Sequence, residues 1–304
     1  MARLLLGLAL LFAAFPVANG TAQEADHELA IVVSTPEVVI RSCPEPGCAG
    51  IDLLRLGDTV HVTGPIEDGY YPVESAGRAG YVWSLFLATP SNGTPVLHEG
   101  VAGCNRIALI FNLGQGSFDD PFSWDMLNYL KSESIPATMF IRSWWAAYYP
   151  AWAYDFDQSG FVVGIHGEND FSLQNQTPDE AMAMLLDAQA TLYEAIGHNG
   201  DPVFTPADPD LDAETLSMVA LAGYLPVIAG VSARDGQQDD NSSETVAANI
   251  LDGAYDGAII ELHLDSQTGV ASTAAALPGV VATLRDAGYT FVTIPDMAQP
   301  CPSN

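Results

Sequence analysis

The chain has 304 residues, which at about 150 residues per domain leaves room for two domains. Its 9 Lys and Arg stand against 38 Asp and Glu, a formal net charge of −29. So acidic a chain repels nucleic acid and anionic membrane surfaces, which are excluded as expected partners, and the same charge favours solubility.

Residues 1–22 read as a secretory signal peptide. Arg3 supplies a short positive start, Leu4 to Phe15 an apolar core, and Ala18, Gly20 and Ala22 the small residues around a cleavage site. Loss of Arg3 would bring the net charge to about −30. The apolar run is too short for a membrane span, and no later segment is long and uncharged enough to be one, so no membrane insertion is expected. No Cys follows the apolar core, which speaks against a lipid anchor there. The expected location is secreted or cell-envelope, outside the cytoplasm. Cys43, Cys48, Cys104 and Cys301 are then expected in disulfides, and four cysteines allow three pairings. Cys43 and Cys48 bracket the turn-forming Pro44-Glu45-Pro46-Gly47. Cys104 precedes the first strand of the second domain and Cys301 follows the last, so the expected pairs are Cys43–Cys48 and Cys104–Cys301. No CxxC pair occurs, which disfavours a metal site built from them.

From residue 30 to 88 the chain is strand-like. Ile31-Val32-Val33, Val38 to Arg41, Thr59 to Val62 and Tyr81-Val82-Trp83 are β-branched or aromatic runs, separated by turn formers at Gly57-Asp58, Glu67-Asp68-Gly69 and Ala76-Gly77-Arg78. Short strands at this spacing make a small barrel. Val39 to Ser42, Leu56 to Val60, Gly69 to Val73 and Gly80 to Trp83 resemble a bacterial SH3-like domain. The resemblance implies cell-wall peptide or polymer as a ligand, with a ligand-free spacer as the alternative. Residues 89–104 are a linker, opened by the polar Thr89-Pro90-Ser91-Asn92-Gly93-Thr94-Pro95.

Beyond the linker, strand-like runs alternate with helical patterns. The runs are Ile107 to Phe111, Ala137 to Ile141, Phe161 to Ile165, Val203-Phe204, Leu225 to Ala229, Ala258 to Leu262 and Tyr289 to Val292. One helix is announced by Thr177 as N-cap and Glu180 as its capping-box partner, with Ala181, Met184, Leu185, Ala188, Leu192 and Ile196 on one face. Another runs from Asp212 to Ala222 and stops at Gly223. The alternation predicts a parallel α/β barrel or open sheet.

Two of these runs end in histidine, at His166 and His263, and the strand-end rim of such a sheet is where side chains of chemistry collect. Taken in order, Ile107 to Gly114, Ile135 to Phe140, Gly164-Ile165-His166 with Asp170, Val203 to Pro206, Ala222-Gly223-Tyr224, Ile260 to His263 and Ala287 to Val292 resemble the polysaccharide deacetylase family, the NodB homology domain, over residues 105–298. The resemblance implies a distorted (β/α)7 barrel and removal of acetyl groups from N-acetylated sugars. It also implies a divalent metal, commonly zinc, held by an Asp and two His.

Matched residue by residue, that site is degenerate. The family's first motif ends in two Asp, one a general base and one a metal ligand; here Asn112 and Leu113 stand there. An amide cannot take a proton from water, and an isobutyl group cannot bind a cation. The family's His-x3-His pair is His166 and Asp170 here, and Asp remains a legitimate zinc ligand. The Arg-bearing motif reads Thr205-Pro206, and His263 keeps the position of the family's general acid. Asp119, in Ser117-Phe118-Asp119-Asp120-Pro121, is a possible substitute carboxylate, and Asp208 and Asp235 are also expected on rim loops.

The stretch from Trp144 to Phe156 supplies aromatic faces that could stack on sugar rings. Trp145, Tyr148, Tyr149, Trp152 and Phe156 keep helical spacing and are expected to pack, which leaves Trp144 and Tyr154, with Thr205 and Pro206, as ligand contacts. His198 reads as a helix-end residue, and His61 and His98 lack partners. The sequence thus describes an exported, catalytically impaired deacetylase-like protein. It would bind N-acetylated cell-wall or matrix glycan, with no cofactor or a weakly bound divalent metal, zinc if any. Two alternatives stand beside it: an active metal-dependent deacetylase with a non-standard ligand set, and a structural protein without a glycan ligand.

Overall fold

The computed structural model describes residues 28–114, 122–167, 176–207, 212–236, 242–265 and 270–301. Its first part is an antiparallel sheet of β1 (Glu28–Val32), β2 (Glu37–Arg41), β3 (Gly50–Arg55), β4 (Thr59–Val62), β5 (Tyr70–Ser75), β6 (Arg78–Trp83) and β7 (Leu87–Ala88), in the order β3-β2-β6-β5-β4-β1-β7. Alternate residues point inward, and Val32, Ile40, Val60, Val73, Val82 and Leu87 form a core of its own. The turns obey their chemistry. Asp68-Gly69 and Ala76-Gly77 are both at positive φ, as a two-residue hairpin loop matched to strand twist requires. The strand β3 escapes a pattern reading because it is an edge strand in which only Leu54 is buried. The disulfide Cys43–Cys48 closes the loop between β2 and β3.

The second part alternates strands and helices: β8 (Arg106–Leu113), α1 (Trp124–Ser132), β9 (Thr138–Ile141), α2 (Ser143–Tyr148), α3 (Pro150–Gln158), β10 (Val162–His166), α4 (Pro178–Ile196), β11 (Val203–Thr205), α5 (Ala213–Leu221), β12 (Leu225–Pro226), β13 (Val231–Ser232), α6 (Ser243–Gly253), β14 (Ile259–His263), α7 (Val270–Asp286), β15 (Thr290–Val292) and α8 (Ile294–Met297). The strands are parallel, in the order β12-β11-β10-β9-β8-β14-β13, with β15 also paired to β8. Both faces of β8 are buried, all eight residues of it. Ile107, Leu109, Phe111 and Leu113 pack under the helices, while Ala108 and Ile110 join Phe140, Val203, Leu225 and Ile259 inside the curl of the sheet.

The expected barrel is realised as a curled eight-stranded parallel sheet, and among the described residues no pairing joins its end strands β12 and β13. The predicted strand from Leu225 to Ala229 is cut to two residues, and the unforeseen β13 follows it. Strands of two residues carry too little alternation to be recognised. The α4 cap forms as its sequence dictates: the Thr177 backbone N–H donates to Glu180 Oε2 at 2.9 Å, and Glu180 N donates to Thr177 Oγ1 at 3.4 Å. Gly197 ends the helix in the left-handed conformation, and His198 beyond it lies 2.9 Å from Asp157.

The aromatic stretch is two helices rather than one, broken at Tyr149 before Pro150. Trp145 and Phe156 stack at 5.8 Å in the core, but Tyr148, on the same helix as Trp145, is 61% exposed and sets its ring against Tyr149, centroids 4.9 Å apart. The two parts touch through specific bonds: Trp83 Nε1 donates to Ala298 O at 2.9 Å, and Ser34 N to Ala220 O at 2.9 Å. The disulfide Cys104–Cys301 joins the segment before β8 to the end of the described chain. No described helix is long and apolar enough to cross a membrane.

Candidate functional site

The register of the parallel strands gathers the candidate residues. His263 pairs with Asn112, Asn112 with Phe140, Phe140 with Gly164, and His166 with Thr205. Each of Asn112, His166, Thr205 and His263 is therefore at or next to the last residue of its strand, on the inner face of the curl. Gly164 makes this layer possible: a Cβ there would lie 2.5 Å from Val203 and 2.9 Å from Phe140.

His263 is clamped. Its Nδ1 lies 2.8 Å from Asp235 Oδ1, and its backbone N–H donates to Asp235 Oδ2 at 3.0 Å. Thr273 Oγ1 donates to that same oxygen at 3.0 Å. A carboxylate against Nδ1 fixes ring orientation and proton placement, so Nε2 is the nitrogen available to a ligand. Burial alone would push the His263 pKa down, but the hydrogen bond and charge of Asp235 outweigh it and the pKa is raised. Such a histidine is suited to hold and give up a proton.

His166 is its opposite. It is fully buried, and among the described residues neither ring nitrogen has a hydrogen-bond partner. Burial, then the charges of Arg142 and His263, hold its pKa well below the ordinary histidine value, so it is neutral.

Asn112 is 2% exposed, and its Nδ2 donates to Glu261 Oε1 at 2.7 Å, leaving Oδ1 buried without a partner among the described residues. Leu113 does not reach the inner face; it packs beneath the helices with Ile141 and Ile165. Thr205 donates its hydroxyl to Val227 O at 3.1 Å, a structural bond within the fold. Pro206 is half-buried just beyond. Asp119, Asp170 and Asp208 lie outside the described residues.

Sequence reasoning passed over three charged groups at this rim. Arg142, 3% exposed, follows β9 directly and donates from Nη1 to Gly114 O at 3.0 Å. Gly114 sits at φ +117° against that side chain, and a Cβ there would lie 2.6 Å from Arg142 Cδ. Asp265, 1% exposed, takes the Gly114 N–H on both oxygens, at 3.0 and 2.9 Å. Glu261 fixes the Asn112 amide. The signal was present: a charge placed directly after, or inside, an apolar strand run is not on a solvated face.

Trp144 is partly buried against the core two residues past Arg142, and Tyr154 lies half-exposed on α3. Trp124 was not foreseen. It is 45% exposed beside Trp152, ring centroids 4.8 Å apart. The neighbouring Ser123 donates its N–H to Leu264 O, next to His263.

The described residues do not fit a divalent metal. No three His, Cys, Asp or Glu among them cluster to hold one. The ring nitrogens of His166 are the open donors, His263 Nδ1 is committed to Asp235, and Leu113 has no donor atom.

Residues 99–227 match the polysaccharide deacetylase family. The peptidoglycan-N-acetylglucosamine deacetylase PgdA of Listeria monocytogenes is 28% identical over 193 residues, 63% of this chain, and the match spans only 38% of that protein's length. Among solved structures, PdaA of Bacillus subtilis, a family 4 carbohydrate esterase, superposes with a TM-score of 0.60 at 22% identity, over 66% of this chain and 84% of that one. A CE4 family pseudoenzyme from Bacillus anthracis does so with a TM-score of 0.59 at 18% identity, over 67% and 68%. These two share the fold.

Proposed function

We propose that this chain, which carries a polysaccharide deacetylase domain, is an exported glycan-binding protein whose hydrolytic chemistry is impaired. The observation that carries the reading is Asn112. At the position of the family's base it presents an amide bonded to Glu261, beside a Leu113 turned away from the site. Groups that would hold a sugar remain: His263 on Asp235, the neutral His166 and the rim aromatics Trp144 and Trp124, with Tyr154 as a further contact. Loss of a positioned general base typically lowers a rate about 10²–10⁴-fold, and loss of a metal-bound water lowers it further.

The reading takes as ligand an N-acetylated cell-wall or matrix polysaccharide, supported by a relative named for peptidoglycan N-acetylglucosamine. Residues 30–88, an antiparallel sheet with its own core, serve as a bacterial SH3-like module that adds contact to the same wall material. The signal peptide at 1–22 and the two disulfides support an extracytoplasmic location.

A second reading, an active metal-dependent deacetylase, is favoured by one observation, the two ring nitrogens of the buried His166, which have no partner among the described residues. Cosedimentation separates these readings. The mature protein is expected to leave solution with insoluble peptidoglycan or chitin, with or without EDTA, and without releasing acetate. Retention in the supernatant with both polymers contradicts glycan binding, and EDTA-sensitive acetate release supports the second reading.

A further inference from the structure

Asn112 is an amide whose orientation is fixed. Glu261 stands on the neighbouring strand β14, level with Ile110 and so on the same inner face, and its Oε1 accepts from Asn112 Nδ2 at 2.7 Å. A carboxylate accepts and an amide oxygen cannot donate, so Asn112 turns Nδ2 toward Glu261 and Oδ1 away from it. That Oδ1 is buried without a partner among the described residues, and so are both ring nitrogens of His166. A buried polar atom left unpaired is costly, and a ligand that brings the matching donor or acceptor offsets the cost. Asn112 on β8 and His166 on β10 flank β9, whose Phe140 is level with Asn112. Gly164, next in that row, has no side chain; its place is filled by Phe140 and Val203, which make an apolar floor between the two polar groups.

We propose that Asn112 and His166 are specificity-determining residues that read the acetamido group of an N-acetylated sugar: Asn112 Oδ1 accepts from its N–H, and a His166 ring N–H donates to its carbonyl oxygen. Glu261 is the positioning residue that decides which end of the Asn112 amide faces the ligand. The spacing selects the group. Asn112 and His166 stand two strands apart, about 10 Å, and their side chains converge on the concave face. A secondary amide, which donates from one edge and accepts at the other, spans roughly 8 Å through two hydrogen bonds. A single hydroxyl spans about 6 Å at most. Phe140 and Val203 give the acetyl methyl an apolar surface, which a hydroxyl does not use. The inference rests on the glycan-binding reading above and names the chemical group that is read.

The experiment titrates the mature protein calorimetrically with two neutral probes: chitotetraose, and cellotetraose, which has a hydroxyl in place of each acetamido group. The quantity read is the ratio of the two affinities. The unmodified protein is expected to prefer chitotetraose by about 10-fold or more, since a site built for a hydrogen-bonding group rejects the analogue that leaves it unpaired. Asn112→Leu and His166→Phe are each expected to bring the ratio close to 1. If Asn112→Leu does not fold by circular dichroism, Asn112→Leu with Glu261→Leu replaces it, because removing both members of a buried bond costs less than removing one. Glu261→Gln, which lets the Asn112 amide turn over, is expected to lower the ratio several-fold in a protein that stays folded. A defect of packing alone would weaken both probes together and leave the ratio unchanged. Equal affinity of the unmodified protein for the two probes overturns the proposal while glycan binding stands, and so does an unchanged ratio in the Asn112 or Glu261 variants. Binding of neither probe overturns the glycan-binding reading, and this proposal with it.

Discussion

Replacing Cys104 and Cys301 together by serine is expected to lower the free energy of unfolding by about 5 kcal/mol, the largest effect of any change considered for this protein. The bridge spans 197 residues, so it closes nearly the whole of the second part of the chain into one loop. In the chain-entropy account the stabilisation grows with the logarithm of that length, through restriction of the unfolded state. The bond also has a local partner. Arg106, just after Cys104, donates from Nη1 and Nη2 to the carbonyls of Asp296 and Gln299 at 2.9 Å each, and anchors the segment that leads to Cys301. Urea unfolding of the oxidised protein and the double-serine variant, read by fluorescence, checks this. Midpoints that coincide would show that the Arg106 contacts alone hold the ends. Loss of Cys43–Cys48, which closes a separation of 5 residues, is expected to matter less.

Asp235→Asn is expected to destabilise the protein by about 3 kcal/mol, because it removes one charge from a buried pair and leaves His263 without its counterion. The pH dependence gives the change a signature that a packing defect would lack. The folded-state pKa of His263 is raised, so the folded state binds its proton more tightly than the unfolded chain does. That contribution is fully present below the unfolded value of about 6.5 and is lost as pH rises through the folded one. For His166 the sign is opposite: its lowered pKa gives stability present above about 6.5 and lost as pH falls. The wild type should therefore lose part of the difference from Asp235→Asn between pH 6 and pH 9, with the two unfolding curves converging. A gap that stays constant or widens over that range would show that Asp235 acts by packing alone.

The sequence disclosed the parts of this molecule that are written locally. The Thr177–Glu180 box, the strand runs that end at His166 and His263, and the Asp68-Gly69 and Ala76-Gly77 turns each depend on neighbours within a few residues. What escaped depends on distant partners. The short strand β13 exists because it lies beside β14, and β3 because it pairs with β2 at an exposed edge. The roles of Asp235, Glu261, Asp265 and Arg142 arise only when strands far apart in the chain are laid side by side, at separations of 28 residues or more in the bonds they make. The aromatic stretch misled for a local reason. Helical spacing ran through Pro150, and spacing alone does not register that a proline starts a new helix on a new axis.

The rim that results is a polar layer with its charges redistributed. Its members are an amide tied to Glu261, a leucine in the sheet–helix core and a buried guanidinium. His263 on Asp235 keeps a proton donor. Recognition of a glycan needs fixed donors and aromatic faces, whereas hydrolysis needs an activated water.

The most direct test is the metal content of the purified, unmodified protein together with acetate release from chitin oligomers in the presence of added zinc. The account predicts well under one zinc per chain and acetate release at least about 10²-fold below that of a deacetylase with an intact base. Stoichiometric, tightly held zinc with robust acetate release would contradict it and show that a carboxylate such as Asp119 or Asp170 has taken over the lost positions.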